Sequence, residues 1–301
     1  MSVSVVLKNA CSTCGEGPHW DDVTKCLSFV DIMAGDCHRW DSQTGDHEKI
    51  HIGNPTSLII PREKGGYIVS QGLQLAQLDW QSKQLKPILS VDLEKPKNRF
   101  NDGKCDTLGR LWAGTMGYET YPGDIEKEVA HLYMFDKEQN LHTIKDKVNI
   151  SNGMAWTADN RTFFYTHSMP RKVFAYDFDL VSGNISKERV VVDFTEKSID
   201  EFGIPDGMTI DLNDKIWLAC YFSSRIFQID PETGKILQTI KFETSNITSC
   251  CFGGPNYDEL YATSSTIGLT AESLAKQPLA GSIFKVNNIN AKGVPGIAYQ
   301  G

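Results

Sequence analysis

The chain has no apolar run near the roughly 20 residues that a membrane-crossing helix requires, so a helical membrane protein is excluded from the reading. It has almost no helical periodicity either. Thr270 to Lys276 is the best helix candidate, and it is short. There is no basic excess: 30 Lys and Arg against 38 Asp and Glu leave a net charge of -8, which argues against nucleic acid and anionic membrane surfaces as partners. Cys11-Ser-Thr-Cys14 has no second C-x-x-C, and no H-x-x-x-H follows it at zinc-finger spacing, so the eight cysteines are expected to be mostly reduced and buried. Among themselves His19, His38, His51, His131, His142 and His167 fall at no ligand spacing. No G-x-S-x-G elbow, Walker A loop, dinucleotide fingerprint or EF-hand loop is present. Met1 to Cys11 lacks the basic start and long apolar core of a signal peptide and reads as a strand, which sets a cytosolic expectation. The four glycosylation sequons, at Asn149, Asn160, Asn184 and Asn246, are then chance matches. No Pro/Ser/Gly-rich linker interrupts the chain, so residues 1–301 are read as one domain.

What is present is repetition. Six units align, each with short strands rich in Val, Ile, Phe, Tyr and Trp and separated by turn residues. The first contains Glu16-Gly-Pro-His-Trp20, Cys26-Leu-Ser-Phe-Val-Asp31 and Cys37-His-Arg-Trp-Asp41. The fifth contains Asp206-Gly-Met-Thr-Ile-Asp211, Lys215-Ile-Trp-Leu-Ala219 and Arg225-Ile-Phe-Gln-Ile-Asp230. A period of roughly 40–50 residues with aromatic marks in each unit describes a β-propeller, here all-β with six blades. Trp20, Trp40, Trp112, Trp156 and Trp217 are expected to pack between blades.

Four of these units place an oxygen side chain beside a glycine at the start of the first strand. The stretches are Gly15-Glu-Gly17, Asn101-Asp-Gly103, Ser151-Asn-Gly153 and Pro205-Asp-Gly207. Asn-Gly and Asp-Gly are common turn dipeptides, and any single instance reads most simply that way. Recurrence at equivalent positions points elsewhere, because a ring turns equivalent positions toward one axis. Glu16, Asn101, Asp102, Asn152 and Asp206 would then converge. Hard oxygen ligands of this kind suit one divalent cation, Ca²⁺, Mg²⁺, Mn²⁺ or Zn²⁺, and two carboxylates with one amide would leave positions open for water and substrate. Arg99 can donate paired hydrogen bonds beside such a site, or serve a surface ion pair. Lys104 lies two residues past Asp102 on the same strand face, where an ion pair between them is expected.

The chain resembles the regucalcin/senescence-marker protein, gluconolactonase and luciferin-regenerating enzyme family. The resemblance rests on Cys14-Gly-Glu-Gly-Pro-His-Trp20, Asn98-Arg-Phe-Asn-Asp-Gly-Lys104, Ala113-Gly-Thr-Met116, Ile150-Ser-Asn-Gly153, Ile204-Pro-Asp-Gly-Met208, Leu218-Ala-Cys-Tyr221 and Thr248-Ser-Cys-Cys-Phe-Gly-Gly254. It extends over essentially the whole chain. It implies a six-bladed propeller with one divalent metal held by Glu16, Asn152 and Asp206. It implies substrate contacts from Arg99, Asn101 and Glu119, and places Asp102 on a further active-site carboxylate. The implied activity is hydrolysis of sugar lactones such as gluconolactone, with Asp206 or Asp102 taking the proton from the attacking water. A monomer acting on a small lactone, with no nucleic-acid or membrane partner, is expected. Gly17, Ala155 and His167 depart from residues common in regucalcins, which leaves the substrate open. One alternative is luciferin regeneration from an oxyluciferin-derived benzothiazole nitrile, for which Tyr118, Tyr121 and Phe202 could furnish an aromatic mouth. Another is a calcium-binding regulatory protein without turnover.

Overall fold

Strands whose residues are apolar on both faces must be covered on both faces. Cys26–Asp31 and Leu111–Met116 are buried at every position, whereas the rim strands His47–His51 and Lys235–Lys241 are mostly exposed. This gradient from hub to rim is that of blades packed against each other around an axis. The computed structural model describes residues 1–53, 55–121 and 123–301. Within them, six four-stranded antiparallel sheets form the blades of a β-propeller.

The inner strands of blades one to six are Gly15–Asp21, Ile59–Pro61, Arg99–Cys105, Ser151–Trp156, Ile204–Ile210 and Ile247–Gly253. The last of these packs against both Ile204–Ile210 and Gly15–Asp21, so the ring closes. Closure is also reinforced by strand pairing. Blade six takes three strands from the C-terminal part of the chain, and Ser2–Leu7 adds the fourth by pairing antiparallel with Ile283–Asn287, Val5 opposite Phe284. The two ends of the chain are thereby fastened in one sheet.

The C-terminal tail forms a strap across the far end of the ring. Leu212 N donates to Lys292 O, Gly293 N to Tyr257 O, Tyr299 N to Pro61 O and Gln300 N to Gly109 O. These partners are turns of blades five, six, two and three. Tyr299 is fully buried, stacks on Phe135 and donates its hydroxyl to Asp136 O at 2.8 Å.

Trp20, Trp112, Trp156 and Trp217 are buried, and Trp40 is half-buried. Two of them mark a repeated device. Asp106 accepts from Trp112 Nε1 at 3.0 Å, and Asp211 accepts from Trp217 Nε1 at 2.9 Å, each across the turn after an inner strand. Asp106 also takes Arg110 Nε at 2.7 Å in a buried ion pair. Removing one partner strands the other charge in the interior. Asp106→Ala is expected to lower stability by about 3–5 kcal/mol, read as a reduced urea midpoint at unchanged slope. A variant that unfolds with the wild-type midpoint would contradict this account of the turn.

Among the described residues helix is confined to Ile199–Phe202 and Ala271–Lys276. The second matches the sequence expectation. Thr270 caps it, its side chain accepting from Ser273 N at 3.1 Å. Among the described residues no helix is long and apolar enough to cross a membrane.

Candidate active site

The inner strands start at one end of the ring, and the oxygen side chains sit near those starts. In five of them the ladder register shifts at the same level: after Glu16, at Phe100–Asp102, after Ser151, after Pro205 and after Ile247. Such an irregularity re-aims a side chain that regular pleating would send elsewhere. Gly17 takes a positive φ of 55°, but the other three glycines do not, and they are not turn residues here. Gly153 and Gly207 have ordinary negative φ within strands. A Cβ on Gly153 would stand 2.5 Å from Met208 N, and one on Gly207 would stand 2.1 Å from Ser249 Oγ. Glycine is required because neighbouring inner strands press together. The recurrent Asn-Gly and Asp-Gly therefore record strand proximity at the hub.

A cavity of about 370 Å³ opens at this end. Glu16, Asn152 and Asp206 line it together with Arg99, Asn101 and Glu119. Asp102 lines instead a separate space of about 20 Å³ with His19, Lys104 and Cys250. Among the described residues no three His, Cys, Asp or Glu side chains form a metal-binding group. The candidate cation ligands in the large cavity, Glu16, Asp206 and Asn152, are two carboxylates and an amide.

Local contacts deliver each group. Gly17 N donates to Glu16 Oε2 at 2.7 Å, and Gly103 N repeats the bond to Asp102 Oδ1 at 2.7 Å. Asp31 is buried and accepts from Ser12 N at 2.6 Å, Cys14 N at 2.9 Å and Thr13, pinning the loop that leads into Glu16. Arg99 Nη1 donates to Phe100 O at 3.0 Å and Asn101 Oδ1 at 2.8 Å, and Asn101 Nδ2 donates to Ser151 O at 2.8 Å. Glu119 comes from the short hairpin Glu119–Tyr121 with Asp124–Ile125, where Gly123 N donates to Oε1 at 2.8 Å.

The electrostatics are those of crowded acids. Burial first, and then the charges of Asp206 and Asp102, raise Glu16 well above the ordinary carboxylate range. Burial and then Asp102 do the same to Asp206. Asp102 is raised by burial, which the Lys104 ammonium and the Gly103 amide oppose. Burial lowers Arg99, against the pull of Cys14, Glu119, Glu16 and Asp206. Lys104 forms no ion pair with Asp102; its ammonium donates to Met208 O at 2.6 Å, so the expected pair is replaced by a backbone contact while its charge still acts on Asp102. Burial also pushes the Cys14 thiol up, which keeps it protonated, and all eight cysteines are free.

One atom tests whether a cation fits. Asn152 Nδ2 donates to Ser168 Oγ at 3.1 Å, and Ser168 Oγ donates to Pro205 O at 2.8 Å. This fixes the amide and leaves Asn152 Oδ1 buried without a hydrogen-bond partner. An orphaned oxygen in one cavity with two mutually repelling carboxylates is a donor set for a hard divalent cation. Glu16, Asn152 and Asp206 would hold it.

Sequence reasoning missed Ser168, which lines the cavity, and Asp31, which pins the loop before Glu16; neither lies in one of the four recurrent stretches. It also chose one wrong aromatic. Tyr118 and Tyr121 line the cavity, but Phe202 packs on Phe194 and Phe227; Phe222 reaches the cavity in its place. Phe222 does so from a turn at φ 73°, which no local pattern announced.

Propellers with an oxygen-lined hub form a recognisable class, and comparison with known proteins narrows it. The family described as "SMP-30/Gluconolactonase/LRE-like region" matches residues 14–266. The chain belongs to that family. It is 41% identical over 301 residues to regucalcin of Bos taurus and equally to that of Homo sapiens, covering 100% of this chain and 99% of each relative. A solved luciferin-regenerating enzyme superposes with a TM-score of 0.92 at 31% identity, over 99% of both chains. A calcium-binding protein, regucalcin, from Agrobacterium tumefaciens shares the fold, with a TM-score of 0.90 at 21% identity over 99% of this chain and 97% of that one.

Proposed function

We propose that this protein is a divalent-metal-dependent lactonase that acts as a monomer on small lactones. The observation that carries the reading is the partnerless Asn152 Oδ1 in one cavity with Glu16 and Asp206. A bound cation would supply Lewis acidity to a lactone carbonyl. The protein's own groups supply the rest. Arg99 donates to oxygens of the bound lactone and, when the ring opens, to the new carboxylate. Asp206 lines the substrate cavity and Asp102 does not, so Asp206 accepts the proton of the attacking water. Asp102, backed by Lys104, then sets the charge beneath it. Glu119 and Asn101 position Arg99 and the substrate.

The test is hydrolysis of glucono-δ-lactone above the spontaneous rate, followed by acid release. Chelator is expected to abolish turnover, and Mn²⁺, Mg²⁺, Ca²⁺ or Zn²⁺ added singly to restore it to different extents. Turnover that persists in protein shown to be metal-free would refute the proposal. Tight calcium binding with no turnover of any lactone would favour the non-catalytic regulatory reading. The aromatic mouth formed by Tyr118, Tyr121 and Phe222 favours a second reading, action on a benzothiazole nitrile. Consumption of that nitrile faster than any lactone would select it.

A further inference from the structure

Much of the wall of the cavity is apolar: Met33, Met169, Ile204, Ile267, Tyr118 and Phe222 all line it. Several of its polar side chains are committed to one another. Asn101 uses its oxygen on Arg99 and its nitrogen on Ser151 O. Ser168 accepts from Asn152 and donates to Pro205 O. One oxygen of Glu119 is taken by Gly123 N. Beyond the candidate cation ligands, the rest of Arg99, the second oxygen of Glu119 and the hydroxyls of Tyr118, Thr120 and Tyr121 are the lining groups that would meet the four hydroxyls of gluconolactone. Buried hydroxyls left unpaired weaken binding.

We infer that the preferred substrates are lactones carrying an unbranched alkyl chain, bound with the ring over the hub and the chain along the methionine and isoleucine wall. The inference rests on the lactonase reading and adds the substrate class. Methionine side chains adapt to flexible ligands, which suits an alkyl tail better than a fixed sugar ring. Each methylene removed from water there strengthens binding by roughly fourfold.

The experiment uses the full chain with saturating Mn²⁺. It compares δ-valerolactone, δ-hexalactone, δ-octalactone, δ-decalactone and glucono-δ-lactone. The kcat/KM is expected to rise about threefold or more per added methylene across the shorter members, carried by KM, and to exceed that of gluconolactone. Met169→Thr and Phe222→Ser are expected to flatten the dependence on chain length. A flat or falling series, with gluconolactone the best substrate, overturns the inference. So does a slope that survives both substitutions in folded protein. Should either variant fail to fold, inert δ-lactams with the same alkyl chains, titrated calorimetrically into the wild-type protein, give the same slope without catalysis. If no lactone is hydrolysed, the lactonase reading falls by itself. The lactam series then judges the apolar wall: affinity rising with chain length supports it, and equal affinities refute it.

Discussion

Replacing Asp206 with alanine is expected to abolish measurable lactone turnover and to weaken divalent-cation binding by more than roughly 100-fold. Loss of a group that merely orients a ligand already costs ~10–100-fold in affinity, and Asp206 is one of the two carboxylates in the candidate cation set of the large cavity. The same position has a second, opposite effect. Asp206 is the largest charge acting on Glu16, and both are buried. Asp206→Asn keeps the shape and removes the repulsion, so the metal-free variant should unfold at or above the wild-type midpoint. The pH dependence has a definite sign. Glu16 and Asp206 hold their protons above the ordinary range in the folded apoprotein. Their contribution to stability is therefore complete below the unfolded value of about 4 and is lost as pH rises through the raised folded values. Apoprotein stability should decline across that window, less steeply in Asp206→Asn, and added Mn²⁺ should oppose the decline. Thermal unfolding in chelator from pH 4 to pH 8 measures this. Stability rising with pH, or Asp206→Ala retaining full metal-dependent turnover, would remove the basis for the assigned site.

Gly153→Ala should damage stability and chemistry together. The added methyl would meet Met208 N at 2.5 Å and Asp206 O at 2.8 Å. Both are backbone atoms of the next inner strand and cannot swing aside as a side chain would. Overpacking of this kind costs about 1–3 kcal/mol. The strands that must separate carry Asn152 and Asp206, so the ligand set spreads. A displacement of about 1 Å in a reacting constellation is enough for a 100-fold loss of rate. Denaturation midpoint, cation affinity and kcat/KM should all fall. Wild-type values for all three would mean that the hub strands are not in close contact.

The glycine result shows how far local reading reaches. Ser151-Asn-Gly153 and Pro205-Asp-Gly207 were legible as recurrent, and recurrence alone suffices to infer a ring and a shared axis. The dipeptides were ambiguous, since the same residues make turns. Only the contact between Gly153 and Met208 distinguishes close approach from turn formation. Lys104 is similar. Strand alternation puts it on the face of Asp102, but its ammonium reaches the carbonyl of a residue 104 positions away. Phe202 is the mouth residue that the sequence suggests, and tertiary packing puts Phe222 there instead.

The amino-acid order by itself determined the strand pattern, the number of units and the types of oxygen side chain at their starts. These depend on neighbours a few residues apart, through pleat, turn and side-chain preference. The tertiary structure decided that Ser2–Leu7 would complete the sixth blade, that the tail would strap the far end, and that Asp206 rather than Asp102 would face the large cavity. Those outcomes turn on register shifts and on contacts between strands distant in the chain, and no short stretch of sequence contains both partners.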